Sequence, residues 1–167
     1  CTFMNNSAVL GGGLLSAYDD TELTNCTFSG NSASWLGGGM YNGISTTTVI
    51  ECRFENNTAI SGGGVANYLS TPTFQDCILK NNMAQVRGGG MYNEESNPAL
   101  SGTTICENTP DQIDGTWIDQ GGNTVRDICI SDCFFDFNGD GVVDGEELTY
   151  LLGTWGTDDP VADVNDD

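Results

Sequence analysis

Along the first hundred or so residues, apolar positions occur singly or in short alternations, separated by runs of Gly, Asn, Ser and Thr. No 3.6-residue period is present, so the pattern predicts short strands and turns rather than helices. The pattern also repeats. Four segments open with Cys1-Thr2-Phe3, Cys26-Thr27-Phe28, Cys52-Arg53-Phe54 and Cys77-Ile78-Leu79, and a fifth keeps the frame with Thr103-Thr104-Ile105. The steps are 25, 26, 25 and 26 residues.

Several columns run through the copies. Phe3, Phe28, Phe54, Leu79 and Ile105 form one, and Asn6, Asn31, Asn57, Asn82 and Asn108 a second. Ala8, Ala33, Ala59 and Ala84 precede glycine triplets at 11–13, 37–39, 62–64 and 88–90. Leu14, Met40, Val65 and Met91 follow the triplets, and Leu23, Val49, Phe74 and Leu100 stand three residues before each repeat start. A coil of about 25 residues with three short strands and three bends fits this spacing. Each strand would pair with its equivalent one coil on, roughly 4.8 Å away. Cys and Phe, two apart, would share an inward face. The Asn column suits a bend, because Asn tolerates the left-handed conformation and stacked amides can bond along the axis. The alternation breaks between Leu23 and Cys26, which places a corner there. A single coil cannot offset its backbone ordering cost, so the coils must stack.

Each triplet lies 15 residues before the next repeat start, so the extra residue of a 26-residue step always falls between the Ala column and the triplet. That edge tolerates insertion, as binding edges of solenoids do. Trp35 lies on it and is either a platform for a sugar ring or an ordinary surface aromatic.

These segments resemble a known family. Phe3-Met4-Asn5-Asn6, Phe28-Ser29-Gly30-Asn31 and Phe54-Glu55-Asn56-Asn57 are similar to the FxxN motif of polymorphic outer membrane protein repeats. Gly38-Gly39-Met40 and its equivalents are similar to the companion GG-A-[ILV] motif. Over residues 1 to about 110 the resemblance implies a right-handed, single-stranded parallel β-helix of the pectate-lyase-like kind, surface display and adhesion-like roles.

Charge turns attention to the C-terminal part. The chain carries 24 acidic and 4 basic residues, a formal net charge of −20, with no Lys or Arg after Arg126. That balance excludes nucleic acid and insertion into anionic membranes, and it favours hard cations. The absence of histidine removes the commonest general base and zinc ligand. Asp136 to Glu147 meets the EF-hand loop specification. Asp136, Asn138 and Asp140 are expected at ligand positions 1, 3 and 5, and Gly141 at the sharp turn. Val142 offers its carbonyl at 7, Asp144 acts at 9 and Glu147 at 12. A short helix is expected over 146–152, stopped by Gly153. Asp163, Asn165 and Asp167 begin the same pattern 27 residues on. The duplicated loop is similar to a type I dockerin over residues 133–167, which implies extracellular Ca2+ and a cohesin-like partner. The chain opens inside a repeat and stops inside the second loop, so further N-terminal coils and weak calcium affinity are expected of this fragment.

The domains expected are therefore 1–130, an all-β helix with a partial last coil over 109–130, and 131–167, a small α-helical calcium module. Gly121-Gly122-Asn123 reads as a last echo of the triplet. Cys1, Cys26, Cys52 and Cys77 form an inward column, favoured as buried thiols over a disulfide. Cys106 should face outward, and two of Cys106, Cys129 and Cys133 are expected to pair outside the cell. Asp114 and Asp119 are a conceivable catalytic pair of the kind any acidic loop yields. Function reads first as a non-enzymatic adhesion or scaffold module at the bacterial surface or beyond it, contacting a polysaccharide or a cell-surface protein. A polysaccharide-processing β-helix with a dockerin-like anchor is the alternative, and an inert spacer a third.

Overall fold

The computed structural model describes residues 1–129, which form one compact unit. The chain winds through about five coils of a parallel β-solenoid, and every strand pairs with its equivalent in the next coil. Each full coil has four strands rather than the three expected. In the second coil they are Thr27–Ser29, Ser32–Leu36, Met40–Gly43 and Thr48–Ile50. Stacking produces four parallel sheets, named A to D in that order: six strands in A, four in B, five each in C and D. The fourth strand escaped notice because sheets B and C are joined only through the glycine triplet, which reads as a turn.

Register follows the sequence columns. Phe3 lies over Phe28, and Phe28 over Phe54. Their rings stack with centroids 4.6 Å apart and interplanar angles of 2° and 3°. A face-to-face stack is not the preferred aromatic geometry; the spacing of the strands imposes it here. Leu79 and Ile105 continue the column, fully buried. The Met40, Val65, Met91 column of sheet C and the Val49, Phe74, Leu100 column of sheet D complete one apolar core. Trp117 packs on that core near its last coil.

The asparagine column does bond along the axis, but these residues are not the left-handed ones. Positive φ falls one position earlier, at Asn5, Gly30, Asn56, Asn81 and Glu107. The column Asn then turns inward. Asn31 donates from its backbone N–H and from Nδ2 to Asn57 Oδ1, at 2.9 and 3.0 Å. The same Nδ2 also donates to the Phe3 carbonyl, at 2.9 Å. This pattern recurs at Asn57 and Asn82, and Gln112 closes the ladder by accepting from Asn108 Nδ2 at 2.8 Å. A second ladder, not foreseen, links Asn42, Asn67 and Asn93 inside sheet C.

Each glycine of the triplet has its own reason. Gly37 takes a positive φ of 70° to turn from sheet B into sheet C. A Cβ on Gly38 would strike the Gly63 and Thr58 carbonyls, and one on Gly39 would meet the Gly64 oxygen at 2.6 Å. The extra residue of the longer coils is a β-bulge in sheet B. Ala8 pairs with Ala33 and Leu10 with Leu36, so Ser34 and Trp35 together oppose Val9. A second register shift lies opposite Gln85 and Val86.

The last coil is shorter. Ile113–Asp114 joins sheet C, Ile118–Asp119 joins sheet D, and Thr124–Arg126 returns to sheet A. Gly121 and Gly122 do not repeat the triplet. Gly121 accepts from the Gly102 N–H at 3.0 Å, so the pair turns the corner from sheet D to sheet A, where Asn123 supports Thr103. The corner expected between Leu23 and Cys26 is formed by Asn25, whose φ is 50°.

Candidate functional site

Three places gather chemistry: the cysteine column, the cap, and the outer face of sheet C. The column cysteines are free thiols, with Cys26, Cys52 and Cys77 buried and Cys1 exposed. They are more than small hydrophobes. Cys52 Sγ lies 3.2 Å from the Ile50 carbonyl and accepts the Cys26 N–H at 3.3 Å. In the fifth coil the Thr103 hydroxyl takes the same part, accepting the Cys77 N–H at 3.3 Å. Burial pushes the Cys77 thiol up to about 12 and raises Cys52 as well. These thiols are held neutral and unreactive.

At the cap, Cys106 is bonded to Cys129. Cys106 follows inward-facing Ile105 on its strand, so its side chain leaves the core face, as the alternation requires. It is nevertheless fully buried, because the disulfide partner folds over it. Asp114 and Asp119 lie on neighbouring sheets, C and D. Asp119 holds a turn, accepting from the Gly121 N–H at 2.8 Å and from Asn123 Nδ2 at 2.7 Å. Those two donors hold its carboxyl below the usual range.

The outer face of sheet C carries a trough. Its floor is Tyr41, whose ring edge rests against Gly43: a Cβ on Gly43 would sit 2.7 Å from it. Tyr41 and Tyr68 line two adjoining cavities. One, of about 340 Å3, is closed on its sheet B side by Trp35 and Leu36 and reaches Glu94. The other, of about 220 Å3, runs between Leu15 and the corner residues Tyr18 and Ile44. The bulge aims Trp35 outward, 56% exposed. Glu94 accepts from the Tyr92 hydroxyl at 3.0 Å, and the Arg87 guanidinium stacks 4.6 Å above the Tyr92 ring. Burial first, then Tyr68, Glu94 and Tyr18, raises the Tyr41 hydroxyl, so it stays a neutral donor.

The far wall of the trough is strained. At the corner from sheet C to sheet D, where Glu95 with φ of 49° ends the row, the apolar Tyr18, Ile44 and Leu69 have φ of 61°, 51° and 50°. That conformation costs a non-glycine residue roughly 1–2 kcal/mol, and a β-branched residue is a clear outlier in it. All three side chains are nevertheless exposed, by 79%, 44% and 42%. The sequence reading singled out Trp35 and its edge alone. The remaining trough residues carried a signal: Tyr18, Ile44 and Leu69 each follow the inward aliphatic column by four residues.

The expected calcium ligands Asp136, Asn138, Asp140, Val142, Asp144 and Glu147 lie outside the described residues, as do Asp163, Asn165, Asp167 and Cys133. So does the helix expected over 146–152.

Coils of this size, stacked in parallel around columns of like residues, define a right-handed β-helix. A family model described as "Right handed beta helix region" matches residues 1–150, and the chain belongs to that family. No curated protein and no solved structure matches the chain.

Proposed function

We propose that this chain is a non-enzymatic β-helix module displayed outside the cell, where its wall serves adhesion or scaffolding and its acidic tail binds Ca2+. The observation that carries the reading is the disulfide between Cys106 and Cys129. Such a bond persists in oxidising surroundings and is rare in the cytosol. It ties the strand Thr104–Cys106 of sheet A to the residues that follow its last strand, Thr124–Arg126. The spacing of Asp136, Asn138, Asp140, Val142, Asp144 and Glu147 supports calcium as the ion. The partners fitting this reading are a polysaccharide or a cell-surface protein on the wall and a cohesin-like protein on the tail.

The test is a calorimetric titration of the full chain with Ca2+. Heat of binding should appear with the native sequence and fall at least tenfold in affinity with Asp140→Ala. A chain that takes up no calcium, or an Asp140→Ala variant that binds as well as the parent, defeats the calcium half. Native protein in which Cys106 and Cys129 are both free thiols defeats the extracellular half.

A further inference from the structure

We propose that the trough on the outer face of sheet C binds an unbranched neutral glycan, with Tyr41 and Trp35 as the surfaces on which pyranose rings stack. The inference rests on reading the chain as an adhesive module, and it names the ligand class and its place.

Three observations converge on this face. The first is shape. Tyr41 occupies the space left by the missing side chain of Gly43, and Trp35 lines the same hollow. The carbon–hydrogen face of a pyranose is a flat apolar surface that such rings cover, and aromatic side chains gain burial there without losing many rotamers. The second is charge. The rim acceptor of the trough is Glu94, while Asp19 and Asp20 line a separate hollow across the Tyr18 and Ile44 corner. Of the four basic residues, Arg53 and Lys80 pair with Glu55 and Glu107, Arg87 is stacked on Tyr92, and Arg126 lies on the last strand of sheet A, away from the trough. Hydroxyl donors of a neutral sugar complement a rim acceptor; the carboxylates of a uronic acid polymer would be repelled by it.

The third is strain. The three other left-handed corners of the solenoid use Asn25, Glu51, Asp76 and Gly102; Asn5, Gly30, Asn56, Asn81 and Glu107; or Gly11, Gly37, Gly62 and Gly88. Only the corner beside the trough places Tyr18, Ile44 and Leu69 in that conformation. Asn or Gly would fit better there, and polar side chains would suit the solvent. Strain of this kind persists where the strained residues serve a ligand.

The experiment is affinity electrophoresis of the full chain through gels holding a neutral glycan (mixed-linkage glucan or glucomannan) or polygalacturonate. Retardation is expected in a neutral gel and absent with polygalacturonate. Trp35→Ala should weaken it at least tenfold and Tyr41→Phe only slightly; both positions are on the outer wall, and circular dichroism would verify the fold. Ile44→Asn separates function from folding: it should raise the melting temperature by about 2–5 °C while reducing retardation. Unchanged mobility in both neutral gels overturns the proposal. So does stronger retardation by polygalacturonate, or retention of binding in a Trp35→Ala/Tyr41→Ala double variant. Trp35-dependent dimerisation in sedimentation without glycan binding would assign the trough to a second copy instead. A chain that takes up calcium but ignores the glycans sinks this inference and leaves the calcium reading standing.

Discussion

Replacing Asn57 with alanine removes the middle of the inner asparagine ladder, and its cost can be worked out bond by bond. Asn57 Oδ1 accepts from the Asn31 N–H at 2.9 Å and from Asn31 Nδ2 at 3.0 Å. Asn57 Nδ2 donates to the Phe28 carbonyl and to Asn82 Oδ1, both at 3.0 Å. Alanine therefore strands two N–H donors on Asn31 and takes one of its bonds from the Phe28 carbonyl, which sits in the ladder to the next coil. Asn82 Oδ1 keeps its bond from the Asn57 N–H. Asn31, Asn57 and Phe28 are fully buried, so water does not replace the lost partners without opening the coil. At about 1–3 kcal/mol for each of the two stranded donors, the loss is about 2–6 kcal/mol. That is a large share of the roughly 5–15 kcal/mol that holds a domain folded. In urea denaturation followed by circular dichroism, the midpoint should fall by roughly 2 M. The neighbouring Asn56 is exposed and left-handed, with φ of 57°, so Asn56→Gly should change stability by less than about 1 kcal/mol. Asn57→Asp refines the test. Its second oxygen would face the Phe28 carbonyl, which only a protonated carboxyl can satisfy, so its folded pKa is raised. The folded variant then binds more protons than the unfolded one. Its deficit against the parent is absent below about pH 4 and grows as pH rises through the folded value. A loss below about 1 kcal/mol for Asn57→Ala, or equal losses at Asn56 and Asn57, would refute the reasoning.

Two further outcomes follow from the cysteines. The Cys77 thiol, pushed up to about 12 against an ordinary 9.0, stays neutral in the folded chain while the unfolded one ionises. Its contribution is complete below pH 9 and is lost as pH rises towards 12, amounting to about 2 kcal/mol at pH 10.5. A Cys77→Ser variant should show less of that alkaline decline in thermal melts. Reduction of the Cys106–Cys129 bond, which spans a sequence separation of 23, should destabilise the cap by up to about 3 kcal/mol. Calorimetry with and without reductant reads the difference, and unchanged melting would contradict the cap role.

The parts of this fold legible in the sequence are those where a column is written in one residue type. Phe3, Phe28 and Phe54 announce their stacking directly, and the Asn57 column announces an axial ladder. The strand count was not legible, since Gly37 to Gly39 looks like a turn but carries sheet B into sheet C with the backbones in close contact. The left-handed residues were misplaced by one position because Asn5, Asn56 and Asn81 stand beside the column and are also asparagines. The hydrogen bonds of Cys52 and Cys77 were missed because cysteine in an inward column reads as an apolar filler. Thr103, in the same frame, held the clue, since a hydroxyl there needs partners. In the trough, Trp35 could be singled out as an aromatic on a variable edge. Tyr41 could not, because its place in the hollow depends on the missing side chain of Gly43 two residues on.

The fold rests on strand amides that bond to carbonyls of the neighbouring coil, in register with the repeat. Through-hydrogen-bond scalar couplings in isotopically labelled protein measure this directly. The account predicts couplings from the Arg53 amide to the Cys26 carbonyl and from the Thr58 amide to the Asn31 carbonyl, both 2.9 Å contacts. Couplings from those amides to partners within their own coil, or to strands running the opposite way, would contradict it.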